Sequence, residues 1–369
     1  MKIKVLQICG QLSTGGQEMM TKNFYKYINK ELFQFEYIVY GTKIGEYEEE
    51  LTELGAKIYH ISPPNLKKIN KFKSELNRIM KENKYNVIHS HTYTNNGIVL
   101  QIAKKNNIPI RISHCHTTNS GKNENFIYKI YKSIMKMLIL NNATHFIACS
   151  KNAGLSFYGK IFEKKGIIIK NGIDLQKFCY NIEKRNILRN QYSLNQNIVL
   201  GHVGRFADVK NHKFLVDLMV ELKKRSSKYK LVLIGDGELF NYIKDYTIEK
   251  KVQNQVLFLG NKNNIYDYLQ MMDLFLLPSK YEGLPVSLIE AQSSGLKCIV
   301  SSNVSKEANI TNTISYIDID NKNIEDWCKV IEENSNLERL IHNGNILKEK
   351  GFDINDICQL LEEIYSCRE

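Results

Sequence analysis

Short runs of β-branched and aromatic residues alternate with amphipathic stretches along almost the whole chain, and that alternation most limits what it can fold into. In the first half the runs are IKVLQIC at 3–9, EYIVY at 36–40, KIYHI at 57–61, NVIH at 86–89, RISH at 111–114 and HFIAC at 145–149. Between them apolar residues recur at helical spacing, as do Leu66, Ile69, Phe72, Leu76, Ile79 and Met80 on one face of 66–82. Strand then helix, repeated, implies a parallel sheet with helices on both faces and ligands at the carboxyl ends of the strands. A second series follows the loop KNGIDLQKF at 170–178: IVLGHV at 198–203, KLVLIG at 230–235, VLFLG at 256–260, LFLLP at 274–278 and KCIVS at 297–301. With 369 residues there is room for two such domains. The expectation is a doubly wound α/β pair, 1–172 and 173–350, whose strand ends face a shared cleft, with an amphipathic helix at 354–366 packed back on the first domain.

Charge separates the two halves. The net charge is +12, yet residues 1–172 hold 26 Lys and Arg against 12 Glu and no Asp, so the remainder is slightly acidic. An anionic surface or ligand met by the first half is implied. Residues 66–136 alone contain 14 basic and 3 acidic residues. Within 126–140, Phe126, Ile127, Ile130, Ile134, Met137 and Leu138 accompany Lys129, Lys132 and Lys136, the pattern either of a helix lying on an anionic membrane or of a core helix with a solvated Lys edge. Nucleic acid is disfavoured, because no aromatics interleave with a basic face. No run approaches the roughly 18 apolar residues that a membrane span requires. MKIKVLQICG reads as a strand entering a turn, too short and interrupted for a signal peptide. The 8 cysteines show neither CxxC pairs nor metal-finger spacing, which suits a reducing cytosol.

Four motifs carry candidate chemistry. Gly15-Gly16-Gln17-Glu18 lies between the first strand and a helix at 17–29, where glycine and a helix N-terminus admit an anion. His89-Ser90-His91 and His114-Cys115-His116 end two strands. Neither has the carboxylate support a metal site needs, and His116, followed by Thr117 and Thr118, is best placed to meet a polar substrate. Gly204-Arg205-Phe206 and Lys210-Asn211-His212 put two cations beside a helix start, a clamp suited to a diphosphate. Glu282-Gly283-Leu284-Pro285 and Glu290 set two carboxylates around a glycine turn and the first turns of a helix, one to hold sugar hydroxyls and one to take a ribose diol. Asp318 and Asp320 come late, after a strand TISYI at 313–317 and outside the expected cleft, and are read as structural.

These motifs, together with Cys-Ser-Lys at 149–151, Asn-Gly-Ile-Asp at 171–174 and Gly-Asp-Gly at 235–237, resemble glycosyltransferase family 4 over nearly the whole chain. The resemblance implies the GT-B fold, two Rossmann-like domains, and a retaining, metal-independent transfer of a hexose or N-acetylhexosamine from a nucleotide sugar, UDP by preference, with no cofactor. It implies that Arg205 and Lys210 bind the donor diphosphate, Glu290 the ribose and Glu282 the sugar. Gly283 and Leu284 form the donor turn, and Gly16 closes on the phosphate. His116 resembles the histidine that contacts the donor sugar, with His114 the alternative. RISHCHTT is similar to members that assemble bacterial capsular or exopolysaccharide. Those imply a glycan or polyprenyl-diphosphate-linked saccharide acceptor and a cytoplasmic enzyme peripheral to the inner face of the membrane. A sugar-nucleotide epimerase or a pyridoxal-phosphate phosphorylase of the same fold is the rival enzyme reading; transfer needs an acceptor, epimerisation does not.

Overall fold

The computed structural model describes residues 2–13, 15–65, 68–116, 126–320, 323–335 and 338–367. Leu66, Thr117 and Thr118 lie outside these. The chain divides into two compact units, residues 1–172 with 351–369, and residues 173–350.

The first unit holds seven strands: β1 (Ile3–Ile8), β2 (Phe33–Tyr40), β3 (Lys57–Ile61), β4 (Val87–Ser90), β5 (Ile110–Cys115), β6 (His145–Ala148) and β7 (Gly166–Ile168). All pair in parallel, in the order β3-β2-β1-β4-β5-β6-β7. Strand order therefore reverses between β1 and β4, the crevice where such sheets bind ligands. Six strands match the apolar runs; β7 is three residues long and too short to announce itself. One face of the sheet is covered by a core that includes Val5, Phe24, Phe33 and Phe35 together with Ile354, Ile357, Leu361 and Tyr365 of the helix Ile354–Ser366. The other face packs Leu6, Ile8, Phe72, Leu76 and Val99.

The helix Phe126–Asn142 buries only Met135, Ile139 and Asn142 among its described side chains. Its backbone crosses the helix Asn96–Lys105 so closely that a Cβ on Gly97 would stand 2.6 Å from the Met135 carbonyl oxygen, which explains glycine there. Phe126 and Ile127 are 76% and 70% exposed, and Ile130, Ile134 and Met137 are exposed beside them.

The second unit holds β8 (Ile198–Val203), β9 (Tyr229–Ile234), β10 (Val256–Gly260), β11 (Leu274–Leu277), β12 (Lys297–Ser301) and β13 (Ile314–Ile317), again all parallel. The order is β10-β9-β8-β11-β12-β13, so the reversal falls between β8 and β11. Leu200, Phe214, Leu215, Leu231, Leu274 and Trp327 build its core. Asp318 and Asp320 follow β13 at the sheet edge, and Trp327 Nε1 donates to the Asp318 carbonyl at 2.9 Å, a structural role. None of the eight cysteines is in a disulfide.

Candidate active site

In the second unit, β8 and β11 are neighbours at the reversal, so the loops after them converge although 70 residues separate them in sequence. After β8 the chain runs through Gly204, Arg205 and Phe206 to a short turn at Asp208–Lys210 and then the helix His212–Arg225. The β9 loop lies directly against it. Gly235 has φ +137°, and a Cβ there would stand 2.1 Å from the Gly204 carbonyl oxygen; one on Gly237 (φ +157°) would stand 2.7 Å from that of Phe206. The Gly-Asp-Gly spacing is thus a backbone-to-backbone contact that only glycine permits. After β11, Lys280 N donates to the Val209 carbonyl at 2.8 Å, holding the two loops together.

Lys210 Nζ sits 2.5 Å from Glu282 Oε1, with the two side chains 17% and 18% exposed. The Glu282 backbone is pinned by Ser305 N, which donates to its carbonyl at 3.0 Å. Leu284 and the half-buried turn lead into the helix Val286–Ser293, which carries Glu290 in a buried position. A Cβ on Gly283 would meet nothing within 4 Å, so the space beside Glu282 is open and the glycine is not demanded by the protein's own packing. Arg205 does not join this pair. It lies 3.1 Å from Glu238, both exposed, an attachment worth at most about 1 kcal/mol and readily exchanged for a ligand.

Beneath the loop lie two histidines that were not singled out. His202 Nδ1 donates to the Leu276 carbonyl at 2.8 Å, which leaves Nε2 a buried acceptor without partner. His212 stacks on Phe206 with ring centroids 3.9 Å apart, and neither of its nitrogens is paired. Burial pushes their pKa values down to about 4 and about 2, so both are neutral.

In the first unit Gly16 begins the helix Gly16–Tyr27 and is exposed. The Glu18 carboxylate folds over Gly15, where a Cβ would stand 2.1 Å from its oxygen; burial raises the Glu18 pKa. The protein's own carboxylate thus covers the turn expected to receive an anion.

The four strand-end histidines form one connected group with Gln7 of β1 and Tyr365 of the last helix. His89 Nδ1 lies 2.7 Å from the Tyr365 hydroxyl and its Nε2 3.0 Å from His114 Nδ1. His91 Nε2 lies 2.8 Å from Gln7 Oε1 and its Nδ1 2.8 Å from His116 Nε2. Gln7 Nε2 donates to the Tyr365 hydroxyl at 3.3 Å. The His114 and His116 rings stack at 4.1 Å, and His114 Nε2 and His116 Nδ1 are buried without partner. Burial depresses all four pKa values, that of His116 to about 3. His89, His91 and His114 offer nitrogens within 4.8 Å of one another. A metal ion there has to break bonds already made, since His89 and His91 each commit both nitrogens. His114 is not fully satisfied at the rim, because its Nε2 has no partner. The polar Gln7 inside the apolar run IKVLQIC was the available signal for the network, and it was missed.

The family described as Glycosyltransferase Family 4 matches residues 14–177, and Glycosyl transferases group 1 matches residues 184–353. The chain is 33% identical over 310 residues to the putative glycosyltransferase EpsF of Bacillus subtilis, covering 82% of this chain and 80% of the other. It is 31% identical over 236 residues to the UDP-Gal:alpha-D-GlcNAc-diphosphoundecaprenol alpha-1,3-galactosyltransferase of Escherichia coli, covering 61% of this chain and 60% of that one. Among solved structures, Anabaena HepE in complex with UDP superposes with TM-score 0.77 at 18% identity, covering 99% of this chain and 100% of that one.

Proposed function

The chain belongs to glycosyltransferase family 4 and has the GT-B fold, and on that footing we propose that it moves a hexose or N-acetylhexosamine from a UDP-sugar to a lipid-linked saccharide, with retention at the anomeric carbon. The observation that carries this reading is the half-buried Lys210–Glu282 pair beside the open space at Gly283. Without donor, each neutralises the other. When the diphosphate enters, Lys210 turns to it and Arg205 leaves the exposed Glu238, so that Glu282 is freed to accept hydrogen bonds from sugar hydroxyls. Glu290 takes the ribose diol.

In the reaction the bond from the anomeric carbon to the β-phosphate oxygen breaks, and the acceptor hydroxyl oxygen bonds to the same face of that carbon. The hydroxyl proton passes to the departing phosphate. Charge grows on the leaving oxygen, and the two cations with the backbone amides of the Gly283 turn meet it. This scheme needs no metal or other cofactor.

UDP is expected to raise the melting temperature of the protein by several degrees, and Arg205→Ala and Glu290→Ala to abolish most of that shift, read by scanning fluorimetry with EDTA present. A UDP effect that survives both substitutions, or that EDTA removes, overturns the assignment.

The acceptor reading makes a use for the helix Phe126–Asn142. Among the described residues no helix is long and apolar enough to cross a membrane. This one instead presents Phe126, Ile127, Ile130, Ile134 and Met137 to solvent next to lysines, the composition of a helix that lies on an anionic bilayer. The protein should float with vesicles containing phosphatidylglycerol and far less with pure phosphatidylcholine. Replacing Phe126 and Ile130 with Glu should cut the bound fraction about ten-fold. Flotation that ignores anionic lipid removes the membrane from this account.

A further inference from the structure

The histidine group in the first unit has a direction. Gln7 is wholly buried and its amide has one donor end and one acceptor end. Its oxygen accepts from His91, so His91 carries its hydrogen on Nε2 and its Nδ1 is an acceptor. His116 must then donate from Nε2, which leaves His116 Nδ1 with a lone pair. Its nitrogen donates to the Tyr365 hydroxyl, which passes its own hydrogen to His89 Nδ1. His89 therefore donates from Nε2 to His114 Nδ1, and His114 carries its hydrogen on Nε2. A neutral imidazole has one hydrogen to place, so each choice forces the next. With Gln7 as it stands all four rings are Nε2–H; with its amide reversed all four would be Nδ1–H.

The geometry points to Gln7 as a positioning residue that sets the tautomer of all four histidines, holding His116 Nδ1 as a bare acceptor and His114 Nε2 as an N–H donor for hydroxyl groups of the sugar substrate. Two buried, unpaired atoms of opposite sense on rings stacked 4.1 Å apart call for partners of both kinds. A hydroxyl both donates and accepts. A phosphate oxygen has no hydrogen to give to His116 Nδ1, and a metal ion cannot accept from His114 Nε2–H. The low pKa values fit, because a protonated ring has no acceptor nitrogen and would break the series. Only the part of this that concerns sugar rests on the function proposed above; the tautomers stand apart from it.

The test is the full-length protein labelled with ¹⁵N-histidine, in which long-range ¹⁵N–¹H correlations separate protonated from bare ring nitrogens. Four rings protonated at Nε2 alone are expected for His89, His91, His114 and His116. Gln7→Met removes the anchor of both branches and should replace the single tautomer with a mixture at all four. Tyr365→Phe cuts only one branch, so mixing should appear at His89 and His114 while His91 and His116 keep Nε2–H. For Gln7→Met, kcat of sugar transfer should fall about ten-fold, the worth of one hydrogen bond, with UDP affinity within two-fold of the parent. The proposal is overturned by any Nδ1–H ring among the four in the parent protein, or by tautomers that ignore Gln7→Met. It is also overturned by zinc that co-purifies at one per chain and is lost from Gln7→Met. Loss of UDP binding from every form refutes the donor site and leaves the tautomer result to be read by itself.

Discussion

Lys210→Ala should lower kcat for sugar transfer by two to three orders of magnitude, the usual loss when one charge-stabilising group is taken from a developing oxyanion. The same change should also destabilise the second unit, because Glu282 is left with its carboxylate 18% exposed and no cation against it. Breaking a buried pair from one side costs about 3–5 kcal/mol, whereas removing both charges is far milder, and this pair, being only partly buried, belongs at the lower end. The two effects can therefore be pulled apart. Lys210→Ala with Glu282→Gln should recover most of the melting temperature and none of the activity. Steady-state kinetics beside scanning calorimetry reads both. Transfer by Lys210→Ala within five-fold of the parent would show that the diphosphate is neutralised elsewhere. A double variant as unstable as the single one would show that the pair is not a unit.

Acid should destabilise the protein progressively as the pH falls below about 6.5, the first unit more than the second. His89, His91, His114 and His116 in the first unit, and His202 and His212 in the second, are all held neutral by burial, with pKa values below the ordinary 6.5. The unfolded chain takes up protons at about 6.5 and the folded chain does not. Stability is thus fully present above that pH and falls as the pH drops towards each folded value. Each such ring costs about 1.4 kcal/mol by pH 5.5. Four rings in one unit then cost roughly 5–6 kcal/mol, a large share of the total stability of a domain. Calorimetry at pH 7.5 and 5.5 is the check. A melting temperature that moves by less than about 3 °C would mean that the histidines are already charged or already released from burial.

The architecture was legible because a parallel sheet buried on both faces writes each strand as an apolar run, and eleven of the thirteen strands among the described residues coincide with such runs named from periodicity. The strand at Ile314–Ile317 was read as the run TISYI before Asp318, while Gly166–Ile168 is too short to stand out after the helix Lys160–Lys165. Periodicity gave the helix Phe126–Asn142 but could not say which of its faces finds a partner, since that depends on where the helix Asn96–Lys105 lies.

At the site, residue types and local spacing pointed to Lys210 and Glu282 separately. Their contact was invisible because it comes from strand order, which makes β8 and β11 neighbours. Arg205 was expected to converge with Lys210 and instead rests on Glu238. The histidines failed for a similar reason: each pair was weighed within its own strand end, while the hydrogen bonds run between β4 and β5 and back to Gln7 and Tyr365.

Tyr365 also has a bearing on how the protein is made. The helix that carries it supplies Ile354, Ile357, Leu361 and Ile364 to the core of the unit that begins at the amino terminus. On the ribosome that unit waits for the helix Ile354–Ser366, while the whole of 173–350 emerges in between. At about 5–20 residues per second the delay is roughly 10–40 s, during which an unfinished sheet keeps an apolar face uncovered and open to aggregation. The unit translated second is the first able to complete its fold.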